Sequence, residues 1–292
     1  MIPKEILSKV RRIEIRTGRL VQELFGGEYR SVFKGRGIEF SDLREYTYGD
    51  DIRTIDWNVT ARTGRPFIKK YVEERELTIM FLVDISASGD FGTVTKPKAE
   101  IAAELCSLLA LSALRSNDKV GLILFSDRVE KFVPPRKGRK HVLRVVREVL
   151  YYRPQGKGTD IAAALRYFSD VIPRSCIVFL MSDFFDEGYE RLLKITNQKH
   201  DCIAIQILDP RERALPNVGM MELVDAETQE TALVDTSDRE FRNRYETYGR
   251  AREERFFSHL RGTQVDVVPI STEAGYVDPL IYFFKERERK FR

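Results

Sequence analysis

From Leu77 onward, continuous apolar runs alternate with segments of helical periodicity. Four of the runs end in an aspartate: LTIMFLVD (77–84), VGLILFSD (120–127), CIVFLMSD (176–183) and CIAIQILD (202–209). Unbroken apolar runs of this kind are typical of parallel strands covered on both faces. Segments 98–116, 141–152 and 161–172 instead carry apolar residues at helical spacing. Strands that alternate with helices predict an α/β fold with a doubly wound, mostly parallel sheet.

The rest of this region predicts further elements. The prolines of EKFVPP (130–135) limit that segment to an edge strand. A hairpin is predicted at 221–235, followed by a strongly charged helix over 238–261, a strand at VDVVPI (265–270) and a last helix over 279–290.

The N-terminal part of the chain has a different pattern. Residues 4–25 have the apolar spacing of a helix, which Gly26-Gly27 ends. Residues 28–76 are punctuated by glycine and show little periodicity, but their aromatic side chains need burial. These are Phe33, Phe40, Tyr46, Trp57 and Phe67. We therefore predict an N-terminal segment, 1–76, with a helix and an irregular β-containing extension, packed on a main domain over 77–292.

Composition and charge indicate an ordinary globular protein. Hydrophobic residues make up 42% and charged residues 32%, with a formal net charge of only +4, which gives little support to nucleic acid as a partner. The three cysteines are widely spaced within apolar segments, so no disulfide framework is predicted. No signal peptide and no transmembrane segment of about 20 apolar residues is recognisable. We expect a cytoplasmic protein.

Oxygen-bearing side chains end or follow the first and third of these aspartate-terminated runs, and one more precedes the helix over 161–172. The set is Asp84, Ser86, Ser88, Thr159 and Asp183. We expect these side chains to converge, because ligands of open parallel sheets bind beyond the carboxyl ends of the strands, where the strand order reverses. An all-oxygen set without histidine or thiol suits a hard cation, Mg²⁺ before Mn²⁺ or Ca²⁺.

A purely structural role for the same residues is the alternative. Ser86 and Ser88 would then cap a turn, Thr159 would cap the following helix, and Asp183 would be a solvated carboxylate. The complete series favours a metal. The chain lacks both a G-x-x-x-x-G-K-[ST] phosphate loop and a G-x-S-x-G nucleophile elbow. Three isolated histidines are expected on the surface: His141, His200 and His259.

The combination resembles the metal-ion-dependent adhesion site of the von Willebrand factor A family. That site has D-x-S-x-S after the first strand, a threonine in a glycine-rich loop and an aspartate after the fourth strand. The resemblance implies that Ser86 and Ser88 are direct ligands. Thr159, Asp84 and Asp183 would act directly or through water. It also implies that the ion keeps an open position, which an acidic residue of a protein partner fills.

The N-terminal segment resembles the signature of a bacterial domain-of-unknown-function family, number fifty-eight, often associated with MoxR-type AAA+ ATPases. The motifs are Gly35-Arg36-Gly37, Glu39-Phe40, Leu43-Arg44-Glu45-Tyr46, Gly49-Asp50-Asp51, Arg53, Ile55-Asp56-Trp57 and Ala61-Arg62. The resemblance extends over nearly the whole chain, including Val234-Asp235-Thr236 and Tyr276-Val277. It implies a MoxR-like AAA+ ATPase as a partner.

The alternating charges of this segment have two interpretations. Arginines and acidic residues can form ion pairs that fix a poorly periodic chain, and we favour this structural role. Alternatively, some of them form a docking surface for a partner. The candidates for docking are Arg36, Arg44, Arg53 and Trp57.

Two functions follow from these patterns. The favoured one is a metal-dependent protein-interaction module without enzymatic activity, acting as an adaptor or co-chaperone for a MoxR-type AAA+ ATPase. The alternative is a Mg²⁺-dependent, phosphatase-like hydrolase that uses the same metal, with Asp160 or Asp186 as its base. No evident nucleophile or base accompanies the ligands, which disfavours the hydrolase.

Overall fold

The computed structural model describes residues 39–48, 50–52, 55–72, 77–93 and 96–291. The predicted helix over 4–25 lies outside the described residues. Two units are distinguished by their internal contacts, one ending at Leu77 and the other beginning at Thr78. The predicted packing of segment 1–76 on the main domain stays a prediction.

The described residues of the unit that ends at Leu77 form two strands and a short helix: β1 (Glu39–Glu45), α1 (Trp57–Thr63) and β2 (Phe67–Val72). β1 pairs with β2 in antiparallel fashion. Asp56 caps α1 by accepting a hydrogen bond from the backbone N–H of Asn58 at 3.0 Å. Gly64, at a φ of +70°, ends the helix in the left-handed conformation that glycine adopts without strain.

Ion pairs in this unit agree with the favoured structural role of its charges. Arg44 Nη2 lies 2.6 Å from Asp50 Oδ1, and Arg65 Nη1 lies 3.1 Å from Glu45 Oε1. The expected burial of Trp57 is wrong, because its side chain is 65% exposed. Trp57 begins a seven-residue helix in which no residue is buried.

The second unit alternates strands and helices. The strands are β3 (Thr78–Asp84), β4 (Lys119–Phe125), β5 (Val129–Arg136), β6 (Ile177–Ser182), β7 (Asp201–Leu208), β8 (Met220–Val224), β9 (Thr231–Asp235) and β10 (Asp266–Ser271). The helices are α2 (Lys98–Arg115), α3 (Arg139–Tyr151), α4 (Ile161–Val171), α5 (Glu190–Lys199), α6 (Arg239–Arg261) and α7 (Val277–Phe291). Short 3₁₀ helices span Ala87–Asp90 and Pro210–Glu212.

Six strands form one sheet in the order β10-β7-β6-β3-β4-β5, in which only the edge strand β5 is antiparallel to its neighbour. The chain leaves β3 towards one edge through β4 and β5, and then returns to β6 on the other side of β3. The order therefore reverses between β3 and β6. This confirms the predicted doubly wound, mostly parallel α/β fold, and the predicted elements agree with the observed ones within two residues at each end.

The core lies on both faces of the central strands. Met80 and Leu82 of β3 and Leu180 of β6 belong to a cluster that includes buried residues of α4, α5 and α6. Because strand side chains alternate, Phe81 and Phe179 lie on the opposite face, and their rings stack with centroids 5.6 Å apart. The three cysteines are buried and free of disulfides, as expected: Cys106, Cys176 and Cys202.

Two features of this unit differ from expectation. Helix α5 occurs where the sequence pattern predicts no helix, because only Leu193 and Thr196 of its ten residues are buried and the apolar stripe is short. His200 is not on the surface. It is only 4% exposed, with Nδ1 3.3 Å from Cys176 Sγ and its ring edge-to-face with Phe168.

Burial of His200 predicts a pH-dependent stability. Burial, with a smaller effect of Lys199, lowers the pKa of His200 to about 4. The unfolded chain takes up a proton near pH 6.5 while the folded protein does not, so the free energy of unfolding falls as the pH drops from about 6.5 towards 4. We expect His200 to account for a loss of about 2 kcal/mol over this range. Urea denaturation of wild type and His200→Gln at several pH values measures this difference.

The control for this measurement is His259→Gln. The His259 side chain is 52% exposed and lies 3.1 Å from Glu190 Oε1, so this variant shows what the loss of a surface histidine does in the same measurement. If His200→Gln and wild type lose stability in parallel below pH 6.5, the buried neutral state of His200 is contradicted.

Candidate metal centre

The site lies at the carboxyl ends of β3 and β6, where the strand order reverses. Asp84 is the last residue of β3, and Asp183 follows Ser182, the last residue of β6. Parallel pairing of these two strands brings both ends to the same edge of the sheet. Ligand sites of open α/β sheets form at such a position.

Hydrogen bonds join four of the five predicted site residues. The turn after β3 is closed by a bond from Ser86 N to Asp84 Oδ1 at 2.9 Å. The hydroxyl oxygens of Ser86 and Ser88 are 3.0 Å apart, and Ser88 donates to Asp183 Oδ2 at 2.9 Å. Ser182 donates to Asp84 Oδ2 at 2.7 Å, which ties the two strands together.

The fifth predicted residue, Thr159, lies at the rim of the same site. Its loop is held against the turn after β3 by a hydrogen bond from Ala87 N to the Lys157 carbonyl oxygen at 2.9 Å. Thr159 shares a cavity of about 660 Å³ with Ser88 and Asp183. The hydroxyl group of Thr159 donates to Glu227 Oε1 at 2.9 Å, so its partner comes from the β8–β9 hairpin.

A buried lysine contributes a positive charge to the site. The sequence analysis did not assign this residue to the site. Lys98 is 4% exposed, and its Nζ lies 2.7 Å from Asp183 Oδ2 and 2.6 Å from Glu212 Oε1. Burial disfavours the charged amine, but the two carboxylates outweigh it and raise the pKa of Lys98 above its usual value. The sequence did contain one signal: a lysine in the first turn of an apolar helix opposes the helix dipole unless acidic partners compensate.

Three carboxyl groups of the site have raised pKa values. Burial, reinforced by the neighbouring Asp183, raises the pKa of Asp84 to about 7. Burial also raises the pKa of Glu212 and Glu227. Four carboxylates and one ammonium group have a formal charge of −3 when all are ionised. A divalent cation would reduce this repulsion, since an opposite charge favours the ionised form of a carboxyl group.

The donor set fits a small hard cation. Ligands at about 2.0–2.1 Å from an octahedral Mg²⁺ lie about 3 Å from their neighbours around the ion. The hydroxyl and carboxylate oxygens of Ser86, Ser88 and Asp183 already have such spacings, 3.0 and 2.9 Å. Within the described ranges, no cluster of three or more His, Cys, Asp or Glu side chains is arranged to hold a metal. The predicted set of ligands does not require such a cluster, since three of its five members are hydroxyl groups.

The two residues considered as bases for a hydrolase have structural partners. Asp160 caps α4 by accepting from Ala163 N at 2.6 Å. Asp186 accepts from Ile161 N at 2.8 Å, also at the start of α4, and from Glu187 N. Both carboxylates therefore serve to fix the helix that follows Thr159.

The four docking candidates of the N-terminal segment are only partly described. Arg44 is engaged with Asp50, and Trp57 is exposed. Arg36 and Arg53 lie outside the described residues, so their docking role stays a prediction.

The order of the strands and the flanking helices define a doubly wound α/β fold of the von Willebrand factor A-like or Rossmann-like class. The chain belongs to the family described as "Protein of unknown function DUF58", whose model matches residues 42–255. It is 27% identical over 288 residues to the uncharacterized protein Rv1480 of Mycobacterium tuberculosis, covering 98% of this chain and 90% of that protein. The uncharacterized protein MAV169 of Mycobacterium avium is 27% identical over 160 residues, covering 54% of this chain and 94% of that protein.

Two solved structures are similar to the chain. A conserved hypothetical protein BatB from Bacteroides thetaiotaomicron has a TM-score of 0.47 at 15% identity, covering 73% of this chain and 99% of its own. An aerotolerance-related membrane protein from Bacteroides fragilis has a TM-score of 0.47 at 16% identity with the same coverage. In the part of this chain that the structure describes, none of the helices combines the length and the apolar character needed to cross a membrane.

Proposed function

We propose that this protein is a metal-dependent protein-interaction module. Mg²⁺, or Mn²⁺ or Ca²⁺ in its place, would be held directly or through water by Asp84, Ser86, Ser88, Thr159 and Asp183. A carboxylate of a protein partner would complete the coordination. The observation that carries the proposal is the continuous series of hydrogen bonds from Asp84 through Ser86 and Ser88 to Asp183 at the switch point of the sheet.

The chemistry of the donors supports binding of a further anion at this site. Hydroxyl ligands carry no charge, so a bound divalent ion keeps much of its positive charge and attracts a further anionic ligand. Asp183 is in addition partly neutralised by Lys98, 2.7 Å away. The ion would then supply attraction for a partner's carboxylate, while the chain's own side chains fix its position.

The partner implied by the family resemblance is a MoxR-type AAA+ ATPase, for which the protein would act as an adaptor or co-chaperone. We propose that it works in the cytoplasm, where the three free, buried cysteines would remain reduced.

Removal of Asp84 is expected to weaken metal binding. Asp84→Ala should lower Mn²⁺ affinity about 100-fold, because loss of even an outer-shell partner lowers metal affinity about 10–100-fold. Isothermal titration calorimetry with Mn²⁺ and with Mg²⁺ measures the change. The matched control is Asp90→Ala, which removes an exposed carboxylate from the neighbouring 3₁₀ helix and should bind as wild type does. Equal affinities in Asp84→Ala and wild type would contradict the site.

The interaction role has its own test. Wild-type protein immobilised in Mg²⁺ should retain a MoxR-type AAA+ ATPase from the source organism's lysate, and EDTA should release it. Asp84→Ala should retain none. Recovery of the same partners by Asp84→Ala and by wild type would argue against a metal-dependent adaptor.

A further inference from the structure

The β8–β9 hairpin carries a rigid tip that ends beside the metal centre. The Asp225 carboxylate accepts hydrogen bonds from Glu227 N at 2.9 Å and from Thr228 N at 2.8 Å. Gln229 closes the turn in the left-handed region, at a φ of +64°, with its N–H bonded to the Asp225 carbonyl oxygen at 2.8 Å. This network fixes the backbone of Glu227, so the direction of its side chain is set by the turn.

The side chain of Glu227 is directed into the candidate metal centre. Its Oε1 accepts the hydrogen bond from Thr159 at 2.9 Å. Its Oε2 lies 3.6 Å from the position that a Cβ on Gly158 would occupy, so the carboxylate lies beside Gly158 as well as Thr159. Glu227 also lines the cavity that Ser88 and Asp183 line. Thr159 thus forms a hydrogen bond with Glu227, and Ser88 and Asp183 line the same cavity.

Other carboxylates line the same cavity as Glu227. They include Asp183, Asp186 and Asp225. An isolated carboxylate on a surface hairpin gains more from full hydration than from facing three other acids. The contact is explained if a positive ion belongs at this point, with Glu227 as one of its ligands.

We propose that Glu227 is an internal carboxylate ligand, which takes the open position of the metal until an acidic residue of a partner displaces it. This inference rests on the proposed metal-dependent function and adds its regulation. The oxygen of Glu227 is hydrogen-bonded to the Thr159 hydroxyl at 2.9 Å, so a metal ion that Thr159 holds is within reach of the Glu227 carboxylate. The hairpin would then be a built-in competitor of the partner.

If Glu227 competes for the metal, a partner needs more than a single carboxylate to bind. A group tethered on a short segment has an effective concentration in the millimolar range, so a free monocarboxylate must exceed that level to displace it. The apparent affinity for any acid is proportional to the fraction of molecules in which Glu227 does not occupy the metal. A true partner must therefore supply further contacts besides its acidic side chain.

The experiment compares Glu227→Gln with Glu222→Gln, which makes the same change at an exposed position on the same hairpin. Mn²⁺ affinity is measured by the electron paramagnetic resonance signal of free Mn²⁺. Fluoroacetate serves as the acidic probe, because a carboxylate that binds protein-held Mn²⁺ shows faster ¹⁹F relaxation. Glutamine keeps an acceptor for Thr159, and thermal unfolding of both variants checks that they are folded.

We expect Glu227→Gln to bind Mn²⁺ about tenfold more weakly than wild type, a difference of about 1.4 kcal/mol. Its bound Mn²⁺ should accelerate fluoroacetate relaxation, whereas wild type and Glu222→Gln should do so weakly. If Mn²⁺ binding depends on Asp84 but Glu227→Gln matches wild type in both measurements, the internal ligand is overturned and the metal centre stands. Mn²⁺ binding that does not depend on Asp84 overturns both proposals.

Discussion

Replacement of Lys98 by methionine is expected to lower the free energy of unfolding by about 3–5 kcal/mol, because it leaves two buried carboxylates without their counter-charge. Lys98 Nζ contacts Asp183 at 2.7 Å and Glu212 at 2.6 Å. Methionine retains the apolar stem of the side chain, so the loss is mainly electrostatic. Urea denaturation in EDTA at neutral pH measures it.

The matched control for Lys98→Met is Lys96→Met. The Lys96 side chain is 27% exposed and pairs with Glu104, which is 14% exposed, and with Glu100, which is 44% exposed. Its removal should lower the free energy of unfolding less than that of Lys98, because these groups keep contact with water. Equal effects of the two substitutions would contradict the role assigned to Lys98. A partial recovery of Lys98→Met in Mg²⁺ would show that a metal ion can neutralise the same carboxylates.

Replacement of Phe179 by alanine should also lower the free energy of unfolding, by about 3–5 kcal/mol. Phe179 is fully buried and stacks on Phe81, its register partner on β3. Alanine would leave a cavity between the two strands that carry Asp84 and Asp183. The free energy of unfolding from urea titration measures the effect.

Two controls separate cavity formation from loss of an aromatic ring. Phe179→Leu keeps most of the volume and should lose less than half as much stability as Phe179→Ala. Tyr282→Ala removes a ring that is 69% exposed and should fall within about 0.5 kcal/mol of wild type. We also expect Phe179→Ala to weaken Mn²⁺ binding, since β3 and β6 position the ligands. Wild-type stability in Phe179→Ala would contradict the packing described for the central strands.

The sequence by itself determined the fold class and which strand ends carry oxygen-bearing side chains. Apolar runs and helical periodicity report which faces of each element are buried, and this local property defined the sheet and most of its helices. Two carboxylates and two hydroxyl groups at strand ends also predicted where oxygen atoms gather, because parallel strands align their carboxyl ends. The hydrogen bonds of Asp84, Ser86, Ser88 and Asp183 have this arrangement.

Only the tertiary structure decided which groups from other parts of the chain face the oxygen atoms at the strand ends. Lys98, Glu212 and Glu227 come from the start of a helix, a 3₁₀ turn and a hairpin tip. Their side chains have no periodic relation to the strand ends. Burial of His200 and exposure of Trp57 likewise depend on what the folded chain places next to each ring. Periodicity indicates that a side chain is buried. Which groups pack against that side chain depends on the path of the connecting loops.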